Sequence, residues 1–130
     1  MRAHSYDYAI VRVVPRVDRE EFLNAGVILA CQSQDFLEAR IELDIKRLAA
    51  LDPKADLATI QMHLEGIPLV ATGGAQAGPI GRLAQRERFH WLVAPRSTII
   101  QTSVVHTGLC RDPGAALEHL LATMVRLTQT

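Results

Sequence analysis

At 130 residues, with 48% hydrophobic and 22% charged side chains, the chain is long enough to bury one core and too apolar to be disordered. Fourteen basic residues offset fourteen acidic ones, so no global positive excess exists to drive nucleic-acid binding through counterion release. No run approaches the roughly 20 apolar residues of a membrane helix, and one cytoplasmic domain spanning residues 1–130, without membrane or nucleic acid as partner, is the expectation.

The opening "MRAHSYDYAIVRVV" has only a short apolar run, broken by Arg12, and lacks the apolar core and cleavage site of a secretory leader. Tyr6 to Val14 is β-branched and aromatic, with both alternating faces largely apolar, which suits a covered strand ended by Pro15. Asp18 to Asn24 predicts a short helix, with Asp18 as N-cap, Glu20 and Glu21 in the first turn, and Asn24 or Gly26 as its stop. Gly26 to Cys31 is a continuous apolar run of strand length. After the turn "QSQD", the stretch "FLEARIELD" alternates Ala39, Ile41 and Leu43 against Glu38, Arg40, Glu42 and Asp44, a half-exposed strand.

"DPKADLATIQMHLEGI" predicts a helix with Asp52 as N-cap, Pro53 at the first position, and Leu57, Ile60, Leu64 and Ile67 on one face. Pro68 is expected to end or kink it. "ATGGAQAGPIG" is a loop by composition. In "LAQRERFHWLVAP", Phe89, Leu92 and Val93 suit a helix face while Phe89, Trp91 and Val93 suit a strand; a short helix is favoured. "STIIQTSVVHTG" reads as a strand. "DPGAALEHLLATMVRL" repeats the Asp-Pro start and carries Leu117, Leu120, Leu121, Met124 and Leu127 as one stripe. The expected fold is α+β: a small, mainly antiparallel sheet of about four strands, with helices packed on one face and a C-terminal amphipathic helix.

Chemistry-bearing residues gather late in the chain. Arg82, Arg86, Arg88, His90 and Arg96 lie within one segment with Glu87 as its only acid. Guanidinium forks match phosphate and carboxylate oxygens, and the hydroxyls of Ser97 and Thr98 after Arg96 extend that donor set into a candidate anion cradle. The plainer alternative is that these arginines lie over apolar surface or pair with Glu20, Glu21, Glu38, Glu42 and Asp44. His106, followed directly by Thr107, is a candidate acid or base at a strand end. It does not reproduce the paired His-x-Thr/Ser motifs of the two-histidine phosphoesterases, and a structural histidine is the plainer reading.

His4, His63, His90, His106 and His119 show no metal-ligand spacing with each other or with Cys31 and Cys110, so neither metal nor cofactor is expected. Cys110, with Arg111 beside it and His106 nearby, is the better placed of two candidate thiol nucleophiles; a reduced, inert pair is the simpler reading. "GGAQAGPIG" lacks the Gly-Lys-Ser/Thr ending of a phosphate loop. Arg12, mid-strand between Val11 and Val13, is expected to meet a carboxylate, with Glu20 or Glu21 the nearest in sequence.

Three blocks resemble one family: "YDYAIVRVVPRVDREEFLNAGVIL", "LDPKADL" and "RFHWLVAPRSTIIQTSVVHTGLCRDPGAALEHLL" are similar to a bacterial family known as domain of unknown function 3037. These blocks hold Arg12, Glu20, Glu21, Asn24, Gly26, Arg96, Ser97, Thr98, His106 and Gly108. "EGIPL", with Gly66 and Pro68 inside a helical pattern, departs from it. The resemblance implies no reaction, and it implies a protein partner, with a kinase-like protein as the candidate. Two readings follow. One is a non-catalytic module binding a protein partner or a small anion, with Arg12, Arg96, Ser97, Thr98 and His106 as its ligand-binding set. The other is a small hydrolase or transferase acting on a phosphate-bearing substrate, with Arg96 as oxyanion clamp and His106 as acid or base. Both single-site versions require Arg12, Arg96 and His106 to converge. The residues leave the oligomeric state open.

Overall fold

The computed structural model describes residues 2–127. Its five-stranded antiparallel sheet consists of β1 (His4–Val13), β2 (Leu23–Cys31), β3 (Phe36–Ile41), β4 (Ile100–Thr102) and β5 (His106–Cys110). β1 is its axis. β2 pairs one side of it and carries β3 beyond, while β4 and β5 pair successive halves of its other side.

The apolar residues on both faces of β1 meet two separate layers. Val11 and Val13 face α1 (Ile45–Leu51), α2 (Leu57–Thr72) and α3 (Gln85–Val93), packing with Leu48, Ile60, Leu64, Phe89 and Leu92. Ile10, flanked by Tyr6 and Tyr8, faces α4 (Pro113–Leu120) and packs with Leu117, Leu120 and Leu121. The antiparallel α+β architecture is the one expected, with α1 to α3 together on one face. The C-terminal amphipathic helix covers the second face, as a strand apolar on both sides requires.

Two irregularities beside β1 set which side chains reach each layer. In β2, Val11 pairs with Gly26 and Arg12 with Asn24, leaving Ala25 as an extra residue. Such a bulge reverses the alternation, which is why Leu23 and Ala25 share a core with Ile28 and Ala30. β3 passes so close here that a Cβ on Gly26 would stand 2.5 Å from the Arg40 carbonyl oxygen. Only glycine fits.

The second irregularity separates β4 from β5. Val14 N–H donates to Ile99 O at 2.6 Å and Ser103 N–H to Ile10 O at 2.9 Å; beyond them Tyr8 pairs with His106. Val104 and Val105 therefore stand together opposite Ala9 in a bulge. The displaced chain cannot offer Ile10 a carbonyl, and the Ser103 hydroxyl replaces it, accepting from Ile10 N–H at 2.9 Å and donating to Val104 O at 2.9 Å. Ser103 is a buried polar residue with its hydrogen bonds made.

Several expected elements move. Asp18 to Asn24 holds only a 3-10 turn, Val17–Arg19, closed by Glu20 at φ 58°. Leu23 and Asn24 belong to β2 instead, because burying Leu23 in the sheet core outweighs an isolated helix too short to be stable alone. β3 ends at Ile41, short of the expected Asp44, and Asp44 instead caps α1, accepting from Arg47 N–H at 3.1 Å. Asp52 closes α1, and Asp56 caps α2, which runs through Pro68 to Thr72 and buries Val70 and Ala71. A π turn, Leu121–Val125, follows α4. Its wider winding carries Val125 inward while Met124 and Leu127 are exposed, shifting the end of the expected stripe.

An ion cluster joins this C-terminal segment to β3. Arg126 donates to both Glu42 oxygens at 2.7 Å and to Glu118 at 2.6 Å, and Arg40 donates to Glu118 at 3.1 Å. Hydrogen bonding to Arg126 holds the Glu42 and Glu118 carboxyls below their ordinary range. Carboxyls lowered in the folded state contribute stability above the unfolded glutamate value of about 4.3, and lose it as pH falls through the folded values. Urea melts across this acid range should show an Arg126→Gln chain with a flatter pH dependence than wild type. Ser103→Ala, which strands Ile10 N–H, should lower unfolding free energy by about 1–3 kcal/mol; an unchanged urea midpoint would contradict that account of the bulge.

Candidate functional site

Two of the four arginines suggestive of an anion cradle, Arg88 and Arg96, are engaged in closing helices. The last carbonyls of a helix lack intrahelical partners. Arg88, half-buried, donates to Val70 O at 3.0 Å and Ala71 O at 3.4 Å near the end of α2, and to Leu83 O at 2.7 Å. Arg96 folds back on α3, donating to Trp91 O at 2.8 Å, Leu92 O at 3.1 Å and Ala94 O at 3.4 Å, with its guanidinium 4.8 Å from the Trp91 ring centre. Arg86 donates to Asp7 at 3.2 Å. A cation beside the negative end of a helix is favourable in itself, so carbonyl capping accounts for Arg88 and Arg96 without a ligand.

The candidate ligand-binding residues divide between the two sides of the sheet. Arg96 and Thr98 line a hollow of about 410 Å³ between α2, α3 and β4, together with His63, Ile67, Trp91 and Ile99. Ser97 is exposed beside it. Arg12 lies on the α4 side, aligned with Asn24. Among the described residues it meets no carboxylate: its guanidinium stacks 4.1 Å from the Phe22 ring centre, while Glu21 pairs with Arg19. The expected Arg12–glutamate pair is thus replaced by a cation–π contact, because the turn after Val17–Arg19 delivers an aromatic face rather than an acid. Among the described residues, the buried Arg12 Nε has no hydrogen-bond partner.

His106 is exposed on β5, its ring centre 5.3 Å from that of Tyr8. It shares the α4 side with Arg12, but Tyr8 and Arg12 are four residues apart on one strand, about 13 Å. Arg12, Arg96 and His106 therefore do not surround one cleft. Thr107 donates to Asp7 at 3.1 Å. Burial raises the Cys110 thiol above its ordinary value, with the neighbouring Cys31 thiol adding to the effect. A raised thiol is a poor nucleophile at neutral pH.

Sequence reasoning missed two features. The first is the apolar hollow: Trp91 and Ile99 are exposed at its rim, and the signal was the single tryptophan a few residues before Arg96. The second is a polar hollow at the start of β1, where His4 Nδ1 and Ser33 Oγ are 3.0 Å apart and Gln34 Nε2 lies 3.0 Å from His4 Nε2. These contacts fasten the turn after β2 to the start of β1. Among the described residues, no group of three His, Cys, Asp or Glu side chains is arranged to hold a metal ion, and no helix is long and apolar enough to cross a membrane.

The model of a family described as "Protein of unknown function (DUF3037)" matches residues 8–125, from the middle of β1 to the end of the π turn. No curated protein and no solved structure matches the chain.

Two measurements test these roles. Arg96→Ala should lower the melting temperature by uncapping α3; an unchanged melt would deny the capping role. Cys110 should react with a thiol reagent at pH 7 more slowly than free cysteine, and faster reaction would restore it as a nucleophile.

Proposed function

The chain belongs to the DUF3037 family, and we propose that it is a non-catalytic protein-interaction module whose recognition site is the hollow between α2, α3 and β4. One observation carries this reading: Ile67, Trp91, Leu92, Ile99 and Ile100 form an apolar recess beside the open edge of a strand. Its volume of about 410 Å³ falls within the usual range for ligand sites. In the antiparallel ladder, Ile99, Gln101 and Ser103 turn their backbone groups towards β1, and Ile100 and Thr102 turn theirs outward. An extended segment of a partner protein can hydrogen-bond to those outward groups and seat an apolar side chain against Trp91. A kinase-like protein is one partner of this kind. Two free cysteines suit a reducing, cytoplasmic setting.

A second reading, binding of a small anion, rests on Arg12, whose buried Nε is unpartnered among the described residues. It places the anion on the α4 side, away from Arg96, Ser97 and Thr98. The phosphate-ester hydrolase or transferase reading has less support, since Arg96 is engaged by carbonyls and His106 stands apart from it.

Trp91 is the only tryptophan, so its emission reports on the hollow directly. Short extended peptides with a central leucine or phenylalanine should shift it saturably to the blue, and Ile67→Glu should abolish the shift. If no such peptide changes the emission, the hollow is not the recognition site. Thermal stabilisation by sulfate or phosphate, lost in Arg12→Ala, would instead favour the anion reading.

A further inference from the structure

Resting on the reading of the hollow between α2, α3 and β4 as the recognition site, we infer that its occupant is the carboxyl terminus of a partner polypeptide. The apolar last residue sits in the recess, and its free carboxylate is held beside Arg96. Ile67, Trp91, Leu92, Ile99 and Ile100 supply the apolar wall, and no acidic residue lines the hollow. Its ionisable side chains are His63 and Arg96, and among the described residues neither forms an ion pair. An apolar recess with one permanent cation in its wall is complementary to a ligand that is apolar and carries a single negative charge.

Capping fixes the Arg96 guanidinium without neutralising it. The carbonyls at a helix end carry roughly half a unit of negative charge, so the charge of the arginine is offset only in part. Its contacts to the carbonyls of Trp91, Leu92 and Ala94 are made by Nη1 and Nη2. Nε–H and one Nη2 hydrogen have no acceptor among the described residues. Two such donors suffice for the two-point grip that a guanidinium makes on a carboxylate.

Backbone geometry separates a chain end from an internal acid. In an extended segment successive side chains point to opposite faces, so an apolar residue entering the recess sends the side chains of its neighbours away from it. An internal acid on the same face comes two residues on, about 7 Å along the strand. The last residue instead carries its side chain and a carboxylate on one Cα, and delivers both to one hollow. Direction fits as well: a segment antiparallel to β4 runs towards Ile100, the end of the strand that the chain reaches four residues after Arg96. Ile100 and Thr102 supply the outward backbone groups of this short strand, enough to align the end of a partner and too few to hold a long strand.

Titration of the wild-type chain, followed by Trp91 emission, tests this with three peptides of matched composition. One ends in leucine with a free carboxylate, one ends in the same leucine as its carboxamide, and one carries that leucine centrally. The free acid should bind at least about tenfold more tightly than either of the others, and added salt should narrow that margin. Only the peptide varies, so the comparison needs no variant that has to fold. Equal binding of the acid and either control overturns the inference while leaving the hollow a recognition site. No response to any of the three removes both. A short alkanoate that binds as tightly as the acid peptide also overturns it, because pairing with the β4 backbone would then contribute nothing.

Discussion

A strand that is apolar on both faces can be buried only between two layers, and β1 imposes that condition on the whole chain. Its inward pairs of side chains require one layer from α1, α2 and α3 and a second from α4. Both layers must then be met by neighbouring strands whose alternation matches. The two bulges perform that adjustment: one in β2 at Ala25, the other at Val104 and Val105. Gly26 and Ser103 are the residues that make these departures tolerable, one by omitting a side chain and the other by supplying an oxygen.

Much of this was legible in the residues. The alternation from Tyr6 to Val14, the apolar run ending at Cys31, and the Asp-Pro start of the last helix all correspond to observed elements. What was illegible depended on competition between neighbours. Asp52 and Asp56 are both plausible caps, and the choice between them turned on the short helix Ile45–Leu51, which ends at Asp52 and leaves Asp56 to start α2. Leu23 could belong to a helix or to the sheet, and only the tertiary core decided.

The candidate site was harder to read for a different reason. A guanidinium that binds an oxyanion and one that closes a helix use the same donors, and nothing local to "RERFHWLVAPRST" distinguishes the oxygen of a ligand from that of a carbonyl. Arg88 and Arg96 find theirs within the protein. The Arg12 environment was anticipated in its cost but not in its remedy, since an aromatic ring two residues before Asn24 took the place of a carboxylate. The hollow beside Trp91 left a fainter trace: its walls come from α2, α3 and β4, which no local pattern connects.

The extra residue between β4 and β5 also bears on the length of the sheet's free margin. Were either Val104 or Val105 deleted, the ladder on that side of β1 would run without interruption from Ile100 to Cys110. A long, uncharged margin of that kind is a template for chain-on-chain stacking. The kink keeps the two short segments from acting as one, and bulges of this kind are a general means by which sheets discourage edge-to-edge pairing.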